Sequence, residues 1–132
     1  MLCMFFAHST NRKDRSDWQT LPDHLMAVAA LAAERGGKFG ARRAAALAGI
    51  LHDLGKYSAA FQRRLDGSGE AVDHSTAGAK HVGRLVVGGA DRGMAELIAY
   101  AIAGHHAGLL GIKHQVQRLK KSVDAPCFSS AF

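Results

Sequence analysis

Two cysteines, one tryptophan and no long apolar run in 132 residues exclude several kinds of protein. Cys3 and Cys127 stand at opposite ends of the chain with no Cys-x-x-Cys spacing, which argues against a disulfide framework and against a thiolate metal site. A reducing cytoplasm is the simplest compartment for such a chain, and a cytoplasmic location is expected. No hydrophobic stretch approaches the roughly 18–20 residues needed to cross a bilayer, so no membrane is expected among the partners. The apolar start Met1–Ala7 is short, lacks a basic leader and runs into His8, so it does not read as a signal peptide. Internal repeats, coiled-coil heptads and a series of alternating strands are missing as well.

Basic charge and histidine are what the chain has in excess. Its formal net charge is +6, which favours an acidic partner, nucleic acid being the commonest. The cations nevertheless fall in scattered pairs, Arg12-Lys13, Arg42-Arg43, Arg63-Arg64 and Lys120-Lys121, as they do on ordinary solvated faces. Charge alone is therefore a weak argument for nucleic acid. Eight histidines are harder to dismiss, and they need a reason.

The length allows one domain, and the hydrophobic fraction of 48% is enough to give it a core. Residues 2–7 suit a short strand or a buried arm, and Ser9 to Gln19 a polar loop anchored by Trp18. Thr20-Leu21-Pro22-Asp23 carries a helix start: a cap, proline in the first turn and an early acid. That helix should run to about Arg35, stop at Gly36-Gly37, and turn Leu21, Leu25, Val28 and Ala32 inward. A second helix over Ala41 to Leu54 has no charged or strongly polar side chain from Ala44 to Leu51, the mark of a central, enclosed helix. Gly55 would end it in a left-handed conformation. A short helix is expected around Ser58–Leu65, and another from Thr76 to Val87 capped by Ser75. A further helix, capped by Asp91 and closed by Gly108, should face inward through Met94, Leu97, Ile98, Ala101, Ile102 and His105. Ile112–Lys121 reads as a basic amphipathic helix, and Val123 to Phe132 has no pattern. The expected fold class is all-α, a bundle of about five helices. Residues 1–111 would form the domain and 112–132 a basic helix with a tail.

His52 and Asp53 emerge together from the end of the most apolar helix, and His24, His74, His105 and His106 occupy inward or near-inward positions. A single histidine on an apolar face is more often a hydrogen-bonded core residue than a ligand. Leaving one buried polar group unpaired costs on the order of 1–3 kcal/mol. Five imidazoles and a carboxylate would thus consume much of a total stability of about 5–15 kcal/mol. The sequence offers few buried acids to pair with them. Coordination to metal removes the difficulty, because neutral imidazole nitrogen and carboxylate oxygen are standard ligands.

The ordered set of His24, His52-Asp53 in Leu51-His52-Asp53-Leu54-Gly55-Lys56, His74-Ser75 and Gly104-His105-His106 resembles the HD superfamily of metal-dependent phosphohydrolases. Ala7-His8-Ser9, Trp18…Leu21…His24-Leu25, Asp73-His74-Ser75…Gly78 and Gly104-His105-His106-Ala107-Gly108 make it most similar to the HD nuclease domain of the type I CRISPR-associated helicase-nuclease. The resemblance covers roughly residues 5–111 and implies an HD-domain helical bundle. It implies a two-metal site in which Asp53 bridges, His24 and His52 hold the first ion, and His74, His105 and His106 hold the second. Asp53 and Lys56 would be the catalytic residues, Lys56 lying near the substrate phosphate; a helix-end cation satisfying carbonyls is an equal reading of Lys56. Histidine-rich ligation suits manganese, iron, cobalt or nickel better than magnesium. The implied substrate is single-stranded DNA in antiviral defence, with a separate CRISPR helicase and the CRISPR surveillance complex as partners. Nucleotide hydrolysis at the same site, and a non-catalytic remnant that binds metal or a partner, are the alternatives. The family carries a further aspartate on the first ion, whereas the sole aspartate after His106 is Asp124, in a segment without the resemblance. The later helices of the family do not follow, and a C-terminal truncation is expected.

Overall fold

Thr20 begins the first helix as the local sequence requires: its hydroxyl accepts from the Asp23 amide, and proline occupies the first turn. In the computed structural model, which describes residues 4–86, 88–106, 108 and 111–120, this helix, α1, spans Leu21–Gly37. It is followed by α2 (Arg42–Leu51), a 3-10 turn (Leu54–Tyr57), α3 (Ala59–Leu65), α4 (Ser75–Leu85), a second 3-10 turn (Gly89–Asp91), α5 (Arg92–Gly104) and α6 (Ile112–Lys120). The fold is all-α, as expected, with one small addition. Strand β1 (Phe6–His8) pairs antiparallel with β2 (Gln19–Thr20), matching Phe6 with Thr20 and His8 with Gln19. The residues Val123 to Phe132 lie outside the described part.

The helices pair as α1 on α2 and α4 on α5, with α2 also against α5. Gly49 lets α1 and α2 approach closely, since a Cβ there would meet the Ala29 Cα at 2.7 Å. The main core gathers Leu51, Leu54, Val82, Ile98 and Ile102, and a second cluster packs Ala7 of β1 with Leu21 and Leu25 of α1. Each large side chain buried here contributes about 1.5–3 kcal/mol.

Several expected faces are rotated or shortened. In α5, Ile98 and Ile102 are buried, but Met94 and Leu97, at 48% and 61%, and also Ala101 and His105 are exposed. Ala95, Ala99 and Ala103 complete the buried stripe instead, because small side chains let α5 lie close to α4 and α2. In α1 the inward positions after Leu25 are Ala29 and Gly36, while Val28 and Ala32 are half-buried. Helix α2 is not enclosed on all sides: from Ala44 to Ile50 only Gly49 is buried, as its neighbours cover part of its girth. Helix α1 runs through Gly36 and ends at Gly37, as expected, whereas α4 ends at Leu85, short of the expected Val87.

Capping differs too. Asp73, not Ser75, caps α4, accepting from the Thr76 amide at 3.2 Å and from the hydroxyls of Ser75 and Thr76. Asp91 precedes α5 without a side-chain cap bond. Gly55 is not left-handed; the glycines with positive φ among the described residues are Gly40, Gly67 and Gly108.

Candidate metal centre

Helix α2 stops at Leu51, and the next two residues turn toward the middle of the molecule before the 3-10 turn begins at Leu54. That break presents Asp53, whose residue is 2% exposed, to side chains from three other places in the chain. His24 comes from the first turns of α1, His74 from the residue just ahead of α4, and His105 and His106 from the two residues after α5. Helix ends converge here, so the ligand side chains project into a shared pocket while the helices themselves bury the hydrophobic core.

Each carboxylate oxygen of Asp53 faces its own set. Oδ2 lies 3.1 Å from His24 Nε2, 3.1 Å from His52 Nε2 and 2.8 Å from Lys56 Nζ. Oδ1 lies 3.3 Å from both His74 Nε2 and His105 Nε2. His106 Nε2 is 2.8 Å from His74 Nε2, and His24 Nε2 is 3.2 Å from His52 Nε2. Two ligand groups result, His24–His52–Asp53 and Asp53–His74–His105–His106, each with its donor atoms within 4.8 Å of one another. Every residue singled out in the sequence is therefore brought into this one cluster.

The donor set fits a divalent ion on physical grounds. Nδ1 of His52 is 2.6 Å from the Gly49 carbonyl, and Nδ1 of His105 is 2.6 Å from the Ile102 carbonyl. Nδ1 of His74 is 3.3 Å from the Val72 carbonyl. A carbonyl oxygen only accepts, so in the neutral ring the proton sits on Nδ1 and Nε2 is a bare lone pair. Three lone pairs then point at a carboxylate, an arrangement that repels unless cationic charge lies between them. Asp53 Oδ1 is buried and accepts no hydrogen bond. Ligand atoms on one ion at about 2.0–2.2 Å are roughly 3 Å apart. The observed spacings, 2.8–3.3 Å, match that figure.

The titration behaviour follows from the same crowding. Burial would raise the Asp53 pKa, but His105 and His52, when their rings carry both protons, and the Lys56 ammonium outweigh burial and hold it well below the carboxylate range. Burial lowers the pKa of His24, His74 and His106 more than Asp53 raises it, keeping these rings neutral. His105 is opposed by burial yet shifted up by Asp53 and the Ile102 carbonyl. Neutral imidazoles are the form that binds metal.

Lys56 is enclosed rather than presented outward. Its side chain is 5% exposed, its ammonium donates to the Ala7 carbonyl at 3.2 Å, and it stands 5.3 Å from the centre of the Phe61 ring. The carbonyl-satisfying reading thus describes one of its contacts, although the carbonyl belongs to β1 rather than to a helix end.

Three residues matter here that the sequence alone did not single out for the site. His8 packs T-shaped against the His24 ring, 4.9 Å between centres, at the exposed rim; Ala7-His8-Ser9 was the available signal. Gln62 donates to the carbonyls of Phe6 and Lys56 and accepts from the Phe6 amide, tying β1 to the turn that carries Asp53. Asp73 orders the start of α4 beside His74. In the other direction, Arg42-Arg43 begin α2, about 15 Å along its axis from His52. Arg63 and Arg64 are exposed on α3, whose Phe61 ring lies 5.1 Å from that of His74.

No helix among the described residues is long and apolar enough to cross a membrane. No similar curated protein was found. The chain matches the HD domain family over residues 22–125, well over half its length and a range that takes in His24, His52-Asp53, His74, His105-His106 and Asp124. HD domains bind divalent metals and are in general metal-dependent hydrolases. Helical architecture, the paired His52-Asp53 and the matched range lead to one conclusion: this chain belongs to the HD domain family.

Proposed function

We propose that the chain is a metal-dependent phosphodiesterase that cuts single-stranded DNA, with Asp53 shared between two divalent ions. The observation that carries this reading is the division of one buried carboxylate, Oδ2 toward His24 and His52 and Oδ1 toward His74 and His105. His24 and His52 would hold one ion, and His74, His105 and His106 the other. Divalent ions bound there polarise phosphoryl oxygens and bring the pKa of water toward neutrality. Manganese, iron, cobalt or nickel suit these nitrogen donors better than magnesium.

The protein's own part is orientation and charge. The Gly49, Ile102 and Val72 carbonyls hold the imidazoles of His52, His105 and His74 with Nε2 turned toward Asp53. Lys56, expected beside the substrate phosphate, acts in this geometry through Asp53, keeping the carboxylate ionised and aimed. His8 lies at the rim, where a substrate phosphate would approach.

DNA as substrate is supported by the net charge of +6 and by exposed Arg63 and Arg64 on α3, the helix whose Phe61 packs against His74, which suit backbone contacts that carry no sequence information. The ordered motifs shared with the type I CRISPR HD nuclease support a role in antiviral defence beside a separate CRISPR helicase and the surveillance complex. The test uses the purified full chain with manganese, cobalt or nickel, given single-stranded oligonucleotides and, separately, free nucleotides. Cleavage of the oligonucleotide, abolished in Asp53→Ala, is the expected result. Failure to cut DNA with any of these metals would overturn the nuclease assignment. Turnover of nucleotides alone would move the substrate while leaving phosphohydrolase chemistry in place.

A further inference from the structure

We infer that the two halves of this centre load unequally: the His74–His105–His106 half takes a divalent ion first, and the His24–His52 half holds one only in competition with the Lys56 ammonium. The inference rests on the metal-binding reading above and goes beyond it, since a bridging carboxylate by itself implies no order.

The asymmetry lies in how the two oxygens of Asp53 are compensated. Oδ2 already has a cation, Lys56 Nζ at 2.8 Å, whereas Oδ1 is buried without a hydrogen bond. The ammonium is not free to swing away. It is anchored by the Ala7 carbonyl at 3.2 Å and lies beside the Phe61 ring, and its side chain is 5% exposed. An ion on the Oδ2 side would have to share that oxygen with a fixed positive charge 2.8 Å from it, and repulsion between the two is strong in a poorly hydrated site. An ion on the Oδ1 side meets three imidazoles and a buried oxygen that has no lysine beside it.

Charge counting points the same way. Among the described residues Asp53 is the one carboxylate in either ligand group. With Lys56 beside it, the formal charge of the centre is zero before any ion binds. One divalent ion makes it +2 and a second makes it +4, so the second is opposed by the first as well as by Lys56. Lys56 is in this sense a positioning residue that sets the order of loading.

The experiment is a manganese titration of the full chain, followed through the free Mn²⁺ signal and checked by metal content after dialysis. One tightly held equivalent is expected, with the second at least about tenfold weaker. His106→Ala should lose the tight equivalent, while His24→Ala should keep it and lose the weak one. Lys56→Met should narrow the gap between the two, and Lys56→Arg should preserve it. Because Lys56→Met leaves Asp53 buried without its cation and can fail to fold, the two histidine variants test the inference without it. Two equivalents of equal affinity in the unaltered chain, or loss of the tight ion in His24→Ala, would overturn the order while leaving metal binding intact. A chain that binds no manganese at all would overturn the metal-binding reading itself, and the order with it.

Discussion

The amide of Gly55 donates to the carbonyl of His74 at 3.2 Å, and a Cβ on Gly55 would come within 2.6 Å of the His74 Cα. Two backbone segments that carry opposite sides of the candidate centre are therefore in direct contact. One bears His52 and Asp53, the other His74. The contact exists because Gly55 has no side chain, which is a different reason from the left-handed helix ending that its place after Leu54 suggests.

Gly55→Ala should push these segments apart. Forcing a methyl group against backbone that cannot yield costs about 1–3 kcal/mol. A lower urea midpoint with an unchanged slope is expected, together with weaker manganese binding. An alanine variant as stable as the parent would show that the contact is not tight.

Asp53→Asn tests the carboxylate without changing its shape. It should abolish hydrolysis and leave Lys56 buried beside a neutral amide. Removing one partner of a buried pair costs about 3–5 kcal/mol. Denaturant unfolding in the presence of a chelator reads that cost separately from metal binding. If Asp53→Asn is destabilised by less than about 1 kcal/mol, Lys56 does not depend on this carboxylate for its charge compensation.

Stability of the metal-free chain should fall as the pH drops below about 6.5, the ordinary histidine value. His8, His24, His74 and His106 all have folded pKa values lowered, chiefly by burial, so the unfolded chain binds more protons in that range. His105 is raised and works in the opposite direction, but it is one ring against four. Asp53 adds stability that persists until far lower pH, because its folded pKa is depressed. Urea midpoints at pH 7.5 and 5.5 with a chelator present check this, and a higher midpoint at pH 5.5 would contradict it. Manganese affinity should weaken over the same range, since protons compete for the same nitrogens.

Asp73→Ala removes the cap of α4. Loss of a helix cap costs about 0.5–2 kcal/mol, and here the uncapped end lies next to His74. Modest destabilisation with a larger proportional loss of manganese affinity is expected. Ser75→Ala, which removes a donor to Asp73 rather than the cap itself, should be milder in both measurements.

Much of this arrangement is legible along the chain. Thr20-Leu21-Pro22-Asp23 starts a helix because capping and first-turn preferences depend on residues within four positions of each other. Ser58 and the short helix after it follow the same local rule. The ligand residues could be singled out because six polar groups on apolar helix ends have no cheap alternative to convergence. The faces of α1 and α5 were less legible. Met94 and Ala95 both fit a helical period, and only the neighbouring helices decide which of them is covered. Ala95, Ala99 and Ala103 win because small side chains allow close packing, a preference that hydrophobicity alone does not express. The strand pairing of Phe6–His8 with Gln19–Thr20 was half visible, as the first partner reads as a possible strand and the second reads as loop.

The sequence by itself determined the helical class, the helix starts at Thr20 and Ser58 and the inventory of imidazoles, because each depends on local periodicity or on residue type. Tertiary structure alone decided how that inventory is used. It set Asp53 so that its two oxygens face different histidines, turned Nδ1 of His52 and His105 onto backbone carbonyls, and enclosed Lys56 against Oδ2 instead of leaving it at the surface. The contacts of His24, His74 and His105 with Asp53 join residues far apart in the chain, and the packing of helix ends around a buried charge fixes them. The Nδ1–carbonyl and Lys56–Asp53 contacts span three residues, but only that packing aims them at one point.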